Sequence, residues 1–596
     1  MATSPARSPS AAGLAFLRLS RGFWKSPSPR LAWGWTIAVS LAVLGHISAQ
    51  IGMNFWHRAF FDALEKRDGA AVTSAFLLLP FLILAIATVI PAMVYTRMIL
   101  QMRWREWVTT RIAGWWLADQ RYYRLGFTAP EQGAPEYRIA DDVRLSIDPL
   151  VDFAIGLVAA TITAATFAAI LWKVAGSAII TLGGRVIEIP AYMALAAVAY
   201  ALLVSGLAYL VGQPLISKTS RKNEMEAQFR AEMTRMRENA ESIALIRGDK
   251  DELSSLLKSY SSVVAAWKVV IRQHGVIAIV VNANSAFFPI LPLLLVTPKY
   301  LSGALTLGAV MQVVAAFSAV QAALIWFVDN AVRLADWFAS ATRVMELADA
   351  LEDIDRGTLM EEETHIRFGE SEDGAIHLDH LSVADNAGRD VIEQSSITIA
   401  RGEKVLLAGE SGSGKSILVR ALAGLWPWGS GTIRWPAGAT ISFVPQRPYL
   451  PLGTLREALL YPQQKPVSDE DVMAAMRRCG LGYLIKKLDQ QETRWDQTLS
   501  GGERQRVAFA RLLIQRPDII IMDEATSALD EDSQFSMLSL LHEELQDATV
   551  ISVAHRSGVA DFHTRQIRLD KRPAGARVTQ SSLPNSLWHL FGARWS

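Results

Sequence analysis

The 596-residue sequence has little cysteine and little charge. Its one cysteine, Cys479, excludes an internal disulfide and a zinc site built from thiolates. Asp, Glu, Lys and Arg make up 20% of the chain, against about 25% in ordinary globular proteins. Neither sign is in excess: Lys plus Arg number 59, Asp plus Glu 58, and the net charge is +1. That balance excludes a nucleic-acid partner held mainly by bulk positive charge. What is abundant is apolar: 51% of residues, with mean hydropathy +0.21. At about 100–200 residues per domain, the length predicts two to four domains.

Six stretches lack Asp, Glu, Lys and Arg altogether: 31–53, 74–96, 153–172, 189–217, 275–298 and 300–328. Each reaches the ~20 residues that an α-helix needs to cross the hydrocarbon core. Helix is the required form, because lipid leaves no partner for free backbone groups. Six such runs argue against the buried helices of a large soluble core. The first run is longer than the ~7–15 apolar residues of a signal peptide. The first 30 residues hold Arg7, Arg18, Arg21, Lys25 and Arg30 and no acid. Residues 97–149 carry 8 Lys plus Arg and 214–274 carry 11, whereas 54–73, 173–188 and the single residue Lys299 carry 3, 2 and 1. The positive-inside rule therefore predicts a cytoplasmic N-terminus and two long cytoplasmic connections. Both connections are rich in helix formers; a hairpin arm of ~25 residues would reach ~37 Å. Residues 14–24 read either as an interfacial helix or as a frayed start.

Charge density rises after Val328. The expected layout is an N-terminal segment (1–30), a six-helix membrane domain (31–340), a linker (341–374), a soluble α/β domain (375–570) and a basic tail (571–596). Inside the soluble part, Gly409-Glu410-Ser411-Gly412-Ser413-Gly414-Lys415-Ser416 follows an apolar run and precedes a helical one. This is a P-loop in its strand–loop–helix setting, where Gly409, Gly412 and Gly414 let backbone N–H groups wrap phosphate. Lys415 is placed for the β- and γ-phosphates of ATP, and Ser416 for Mg2+. The apolar run Ile519–Met522 ends in Asp523 and Glu524, an acid pair suited to Mg2+ and to polarising water. Ser500, Gly501 and Gly502 open another helical run, a further anion-binding start.

The run Leu499–Arg506 (LSGGERQR) resembles the signature of ABC-transporter ATPases. The resemblance implies that Ser500, Gly501 and Gly502 close on ATP held by a second copy, with Asp530 at the D-loop. It also implies Gln446 as the Q-loop residue at the metal and catalytic centre, and His555 as the switch histidine on the γ-phosphate. The catalytic set is then Glu524, His555 and Gln446, and the metal set Ser416, Gln446 and Asp523. One feature departs from the family: residues 374–408 contain no Phe, Tyr or Trp to stack on adenine, and Val383–Asp385 occupy about that place.

Gly424-Leu425-Trp426-Pro427 and Gln446-Arg447-Pro448-Tyr449 resemble the fatty-acyl, class D branch. Arg103–Trp107, Tyr122–Leu125 and Arg138–Val143 look like the SbmA/BacA-type membrane domain, although Ala134 and Tyr137 replace its usual Asn and Gln. BacA-related proteins with a fused ATPase domain imply an exporter-type fold, a homodimer in the bacterial inner membrane, and import of antimicrobial or other peptides and of other bulky hydrophilic solutes. A fatty-acyl or lipid transporter and a proton-coupled carrier with a regulatory ATPase domain are the alternatives. Within the spans, His46, Gln50, Asn282, Asn284, Gln312 and Gln321 read equally as a solute path or as interhelical hydrogen bonding. Asp329, Arg333 and Asp336 read as a gate or as a solvated helix end.

Overall fold

The computed structural model describes residues 9–27, 29–128, 134–182, 185–356, 365–385, 388–426, 428–462, 466–491, 494–554, 557–572 and 575–583. It divides into two compact units, Met1–Glu352 and Asp353–Ser596.

The first unit is helical. Helix α1 (Pro9–Ser20) is followed by a 3-10 turn, Arg21–Lys25. Phe16 and Phe23 are buried, and the indole N–H groups of Trp104 and Trp24 donate to Ser20 O and Thr36 Oγ1, both at 3.1 Å. The segment is therefore docked rather than frayed. The long helices are α2 (Pro29–Glu65), α3 (Gly69–Leu117), α4 (Val143–Ala175), α5 (Tyr192–Glu238), α6 (Asp249–Phe287), α7 (Ile290–Leu301), α8 (Leu307–Asp329) and α9 (Ala331–Arg356). Among the described residues six spans are long and apolar enough to cross a membrane, α6 and α7 together making one. The 47 residues of α5 extend about 70 Å, so apolar span and charged arm form one continuous helix.

The expected spans shift in two places. The sixth starts at Leu307 rather than 300, because Ser302 and Gly303 (φ +72°) turn the chain. The fourth begins at Tyr192, after an antiparallel hairpin of β1 (Ala178–Leu182) and β2 (Arg185–Ile189) that the apolar pattern did not indicate.

Helix α8 is central: over half of its apolar window is buried within the chain, whereas α3 buries none of its own. Val313, Phe317 and Val320 of α8 pack with Phe167 and Leu171 of α4 and Met193 and Ala197 of α5. Gly156 of α4 leaves room for the Trp326 ring, which a Cβ there would strike. The polar residues mostly act as ties. Asn54 and Gln312 exchange two hydrogen bonds at 3.1 Å, and Tyr200 OH donates to Asn284 Oδ1 at 2.7 Å. Gln50 pairs with His46 one turn away, and Asn282 donates to Ala278 O in its own helix. Gln321 is buried with neither side-chain polar atom bonded among the described residues. Arg333 is no merely solvated end: it joins Arg97 and Gln101 on the Asp152 carboxylate, linking α9, α3 and α4.

The second unit has two sheets. Strands β3 (Arg367–Ser371), β4 (Ile376–Ala384), β5 (Asp390–Ile399) and β7 (Gly429–Pro436) form one, in the order β3-β7-β4-β5. The other contains β6 (Lys404–Gly409), β8 (Ile441–Val444), β9 (Ile519–Asp523), β10 (Thr549–Val553), β11 (Arg565–Asp570) and β12 (Arg577–Ser582), in the order β12-β11-β6-β10-β9-β8. Its four pairings from β11 to β8 are parallel, and β9 and β10 are apolar throughout except for a few hydroxyls and the terminal acid, as strands covered on both faces require. Helices α10 (Lys415–Leu422), α11 (Gly501–Gln515) and α12 (Glu531–Glu544) accompany it. Helix α9 ends inside the 341–374 linker. Two boundaries differ from expectation: β3 pairs ahead of residue 375, and β12 pairs with β11 inside the segment read as a basic tail. The far end of that tail, 584–596, lies outside the described residues.

Candidate active site

β6 runs into the P-loop and α10 leaves it. Gly412 and Gly414 adopt φ +76° and +95°, and a Cβ on Gly414 would lie 2.7 Å from Val391 Cγ1, so the turn requires glycine there. Lys415 Nζ donates to the carbonyls of Gly409 and Glu410, each at 2.8 Å. Burial lowers its pKa, and the Glu524 and Asp523 carboxylates oppose that shift. Ser413 Oγ is buried in the loop with no hydrogen-bond partner among the described residues. A free hydroxyl beside inward-facing backbone N–H groups suits a phosphate oxygen.

The acid pair ends β9 beside this loop. Ser416 Oγ donates to Asp523 Oδ1 at 3.4 Å, and burial pushes the Asp523 carboxyl above its usual range. Glu524 takes a left-handed backbone, φ +48°, while its N–H donates to Val553 O at 3.0 Å. That conformation is costly for a non-glycine residue and turns the chain sharply off the strand end. Gln446 Nε2 donates to Glu524 Oε2 at 2.8 Å. Ser416, Gln446 and the adjacent pair Asp523 and Glu524 thus converge from three separate segments.

The residues fit Mg2+. No group of three or more His, Cys, Asp or Glu side chains gathers among the described residues. Mg2+ needs none: it is commonly held by one or two carboxylates with waters and substrate phosphates. Asp523, the Ser416 hydroxyl and the Gln446 amide oxygen are hard donors of that kind.

Ser500 caps α11 in a reciprocal box with Glu503, leaving the N–H groups of Gly501 and Gly502 at a positive helix end. Asp530 caps α12 by accepting from Ser533 N at 2.7 Å, a bond that lowers its pKa. His555 lies outside the described residues.

Two residues escaped the sequence reading. Gln505 is buried and donates to Gln446 O at 3.2 Å and Ser527 Oγ at 3.3 Å, while accepting from Ala528 N at 3.0 Å. It thereby joins the Q-loop to the segment leading into the D-loop. It stands between Arg504 and Arg506 in the run Leu499–Arg506, where nothing beside it marks it as a link. His563 is buried between Ser552 Oγ and Val559 O, both at 2.8 Å. No spacing in the sequence distinguishes it.

Comparison with known proteins agrees with this geometry. Residues 28–301 match the family described as ABC transporter transmembrane region 2, and residues 392–527 match ABC transporter. An uncharacterized ABC transporter ATP-binding protein of Haemophilus influenzae is 31% identical over 494 residues, covering 82% of this chain and 81% of the relative. The chain belongs to the ABC transporter family. As an ABC transporter it couples ATP hydrolysis to transport and is a multi-pass membrane protein. A further relative, ABC transporter D family member 2, chloroplastic, of Arabidopsis thaliana, is 26% identical over 631 residues, 93% of this chain and 85% of the relative. A solved structure of a bacterial Atm1-family ABC exporter with ATP bound superposes with a TM-score of 0.65 at 19% identity, covering 96% of this chain and 99% of that one. It establishes the exporter-type fold.

Proposed function

We propose that two copies of this ABC transporter chain move an amphipathic, acyl-bearing solute across a bacterial inner membrane, driven by ATP. The observation that carries the cargo class is the D-family similarity, which extends over 93% of the chain and so includes the membrane half. The fatty-acyl alternative raised by Gly424–Pro427 therefore replaces peptide uptake, the first reading, which none of the relatives described above supports. A groove of about 630 Å3 between α1, α2, α3 and α4 agrees with this cargo. Leu17, Trp24, Val43, Leu100 and Ile155 line it, and Arg21 is the one charged side chain among its lining residues. An apolar slot with a single cation suits an acyl chain with an anionic head.

Each chain has one P-loop and one signature loop, so two complete sites require two chains. We assign Lys415 and the amides around Gly409, Gly412 and Gly414 to the β- and γ-phosphates. Ser416, Asp523 and Gln446 hold Mg2+, which when bound offsets phosphate charge. Glu524 polarises the attacking water, in reach of Gln446 and with His555 on the γ-phosphate. Ser500, Gly501, Gly502 and Asp530 complete the site of the second copy. We assign the ATPase units to the cytoplasm, an orientation that the basic N-terminal segment and long connections support.

The test is ATPase activity and solute uptake in proteoliposomes, with acyl-CoA, free fatty acid or cationic peptide supplied. Acyl compounds should stimulate turnover, and uptake should vanish with Glu524→Gln. Stimulation by peptide alone would overturn the cargo assignment. Uptake undiminished in Glu524→Gln would point to a proton-coupled carrier instead.

A further inference from the structure

The adenine of ATP needs a flat partner, and residues 374–408 offer no aromatic ring. The segment that lies against the phosphate loop is the start of β5, since Val391 Cγ1 sits 2.7 Å from where a Gly414 Cβ would be. The turn leading into it is closed by Asp385 and Arg389. Asp385 N–H donates to Arg389 O at 2.8 Å, and Arg389 N–H donates to Asp385 Oδ1 at 2.9 Å. The same carboxylate receives the side chain: Arg389 Nε lies 2.8 Å and Nη2 2.7 Å from Oδ2. From the other side, the Trp426 indole N–H donates to Ala384 O at 2.8 Å, anchoring the base of the turn.

Two consequences follow for Arg389. Its guanidinium is held from one edge by a single carboxylate oxygen, and the side chain is 82% exposed, which leaves it open to a ligand. It also precedes Val391 by two residues, the separation at which an extended chain presents side chains to one side. A guanidinium is planar and delocalised, and it stacks on aromatic rings with a cation–π contribution.

We propose that Arg389, held edge-on by Asp385, is the platform on which the adenine of ATP stacks at this P-loop. The inference rests on the ATP-site assignment above. Stacking reads the π-face of a base and not its hydrogen-bonding edge. The site should therefore hold ATP and GTP with affinities within a few-fold of each other.

The experiment measures equilibrium binding of ATP, GTP and inorganic tripolyphosphate, with Mg2+, to the full-length protein in nanodiscs. Wild type is compared with Arg389→Ala, Arg389→Lys and Arg389→Tyr. Arg389→Ala should weaken ATP and GTP about three- to tenfold and change tripolyphosphate, which has no base, less than about twofold. Arg389→Lys keeps the charge but loses the plane, so it should weaken ATP to a similar extent. Arg389→Tyr restores a flat face and should recover ATP affinity. Unchanged ATP affinity in Arg389→Ala, or equal weakening of ATP and tripolyphosphate, overturns the proposal. Wild-type protein that binds neither ATP nor tripolyphosphate would instead overturn the ATP-site assignment on which it rests.

Discussion

In the ATPase unit, polar side chains crowd into one place, where Ser416 meets Asp523 and Gln446 meets Glu524. The membrane unit spaces its polar side chains out as single ties: Asn54 to Gln312, Tyr200 to Asn284, Asp152 to Arg97 and Arg333. The two arrangements have different failure modes. Removing a group from the crowded site should stop chemistry while leaving the fold in place. Removing a tie should loosen helix packing while leaving the ATP chemistry intact.

The sharpest separation comes from Glu524→Gln. It preserves the size of the side chain and its contact with Gln446, so melting should be little changed. Steady-state ATP hydrolysis, measured by phosphate release, should fall by about 10²–10⁴-fold. Unchanged turnover would remove Glu524 from the water-polarising role.

The next effect is a pH dependence confined to the ATPase unit. Burial pushes the His563 imidazole down from 6.5 to about 4. Between those values the unfolded chain binds a proton that the folded chain excludes. Stability therefore rises with pH across that window and is lost as pH falls from 6.5 toward 4, by about 3 kcal/mol in all. Thermal melting of His563→Gln should be flatter over pH 4.5–6.5 than that of the wild type. Parallel curves would assign the acid sensitivity elsewhere.

On the membrane side, Asp142 is fully buried and is gripped by Arg343 Nε at 2.9 Å and Nη2 at 2.6 Å. Arg343→Ala leaves that carboxylate unpaired, and we expect a loss of about 2 kcal/mol, reduced because the arginine itself is partly exposed. Denaturation in detergent should report it. Tryptophan fluorescence would show whether the membrane unit melts first. Smallest is Gly156→Ala, where the added methyl group meets the Trp326 ring. Overpacking there should cost about 1–2 kcal/mol, visible as a lower melting temperature with unchanged nucleotide binding.

The same contrast explains what could be read from the sequence. The ATP site was legible because each half of each pair lies in a short run of fixed chemistry: glycines before Lys415, apolar residues before Asp523. The six spans were legible because lipid imposes composition and length together. The ties were not. Asn54 and Gln312 lie 258 residues apart, and nothing local to either marks it as the partner of the other. The late start of α8 escaped because Ser302 and Gly303 carry no charge, so the apolar run passed through the turn unbroken. Gln505 escaped because a buried glutamine gains its meaning from the three segments it joins, not from its neighbours in the chain.

Cys479 is fully buried, and burial raises its thiol to about 12. A thiol that stays protonated and covered is a poor nucleophile at neutral pH. The native chain is therefore nearly silent toward maleimides without any prior cysteine removal. A cysteine introduced at an exposed position, such as Leu245→Cys on the connection between α5 and α6, would be the one reactive label per chain. Paired across two copies, such labels give a direct distance readout of how far the arms move during each ATP cycle.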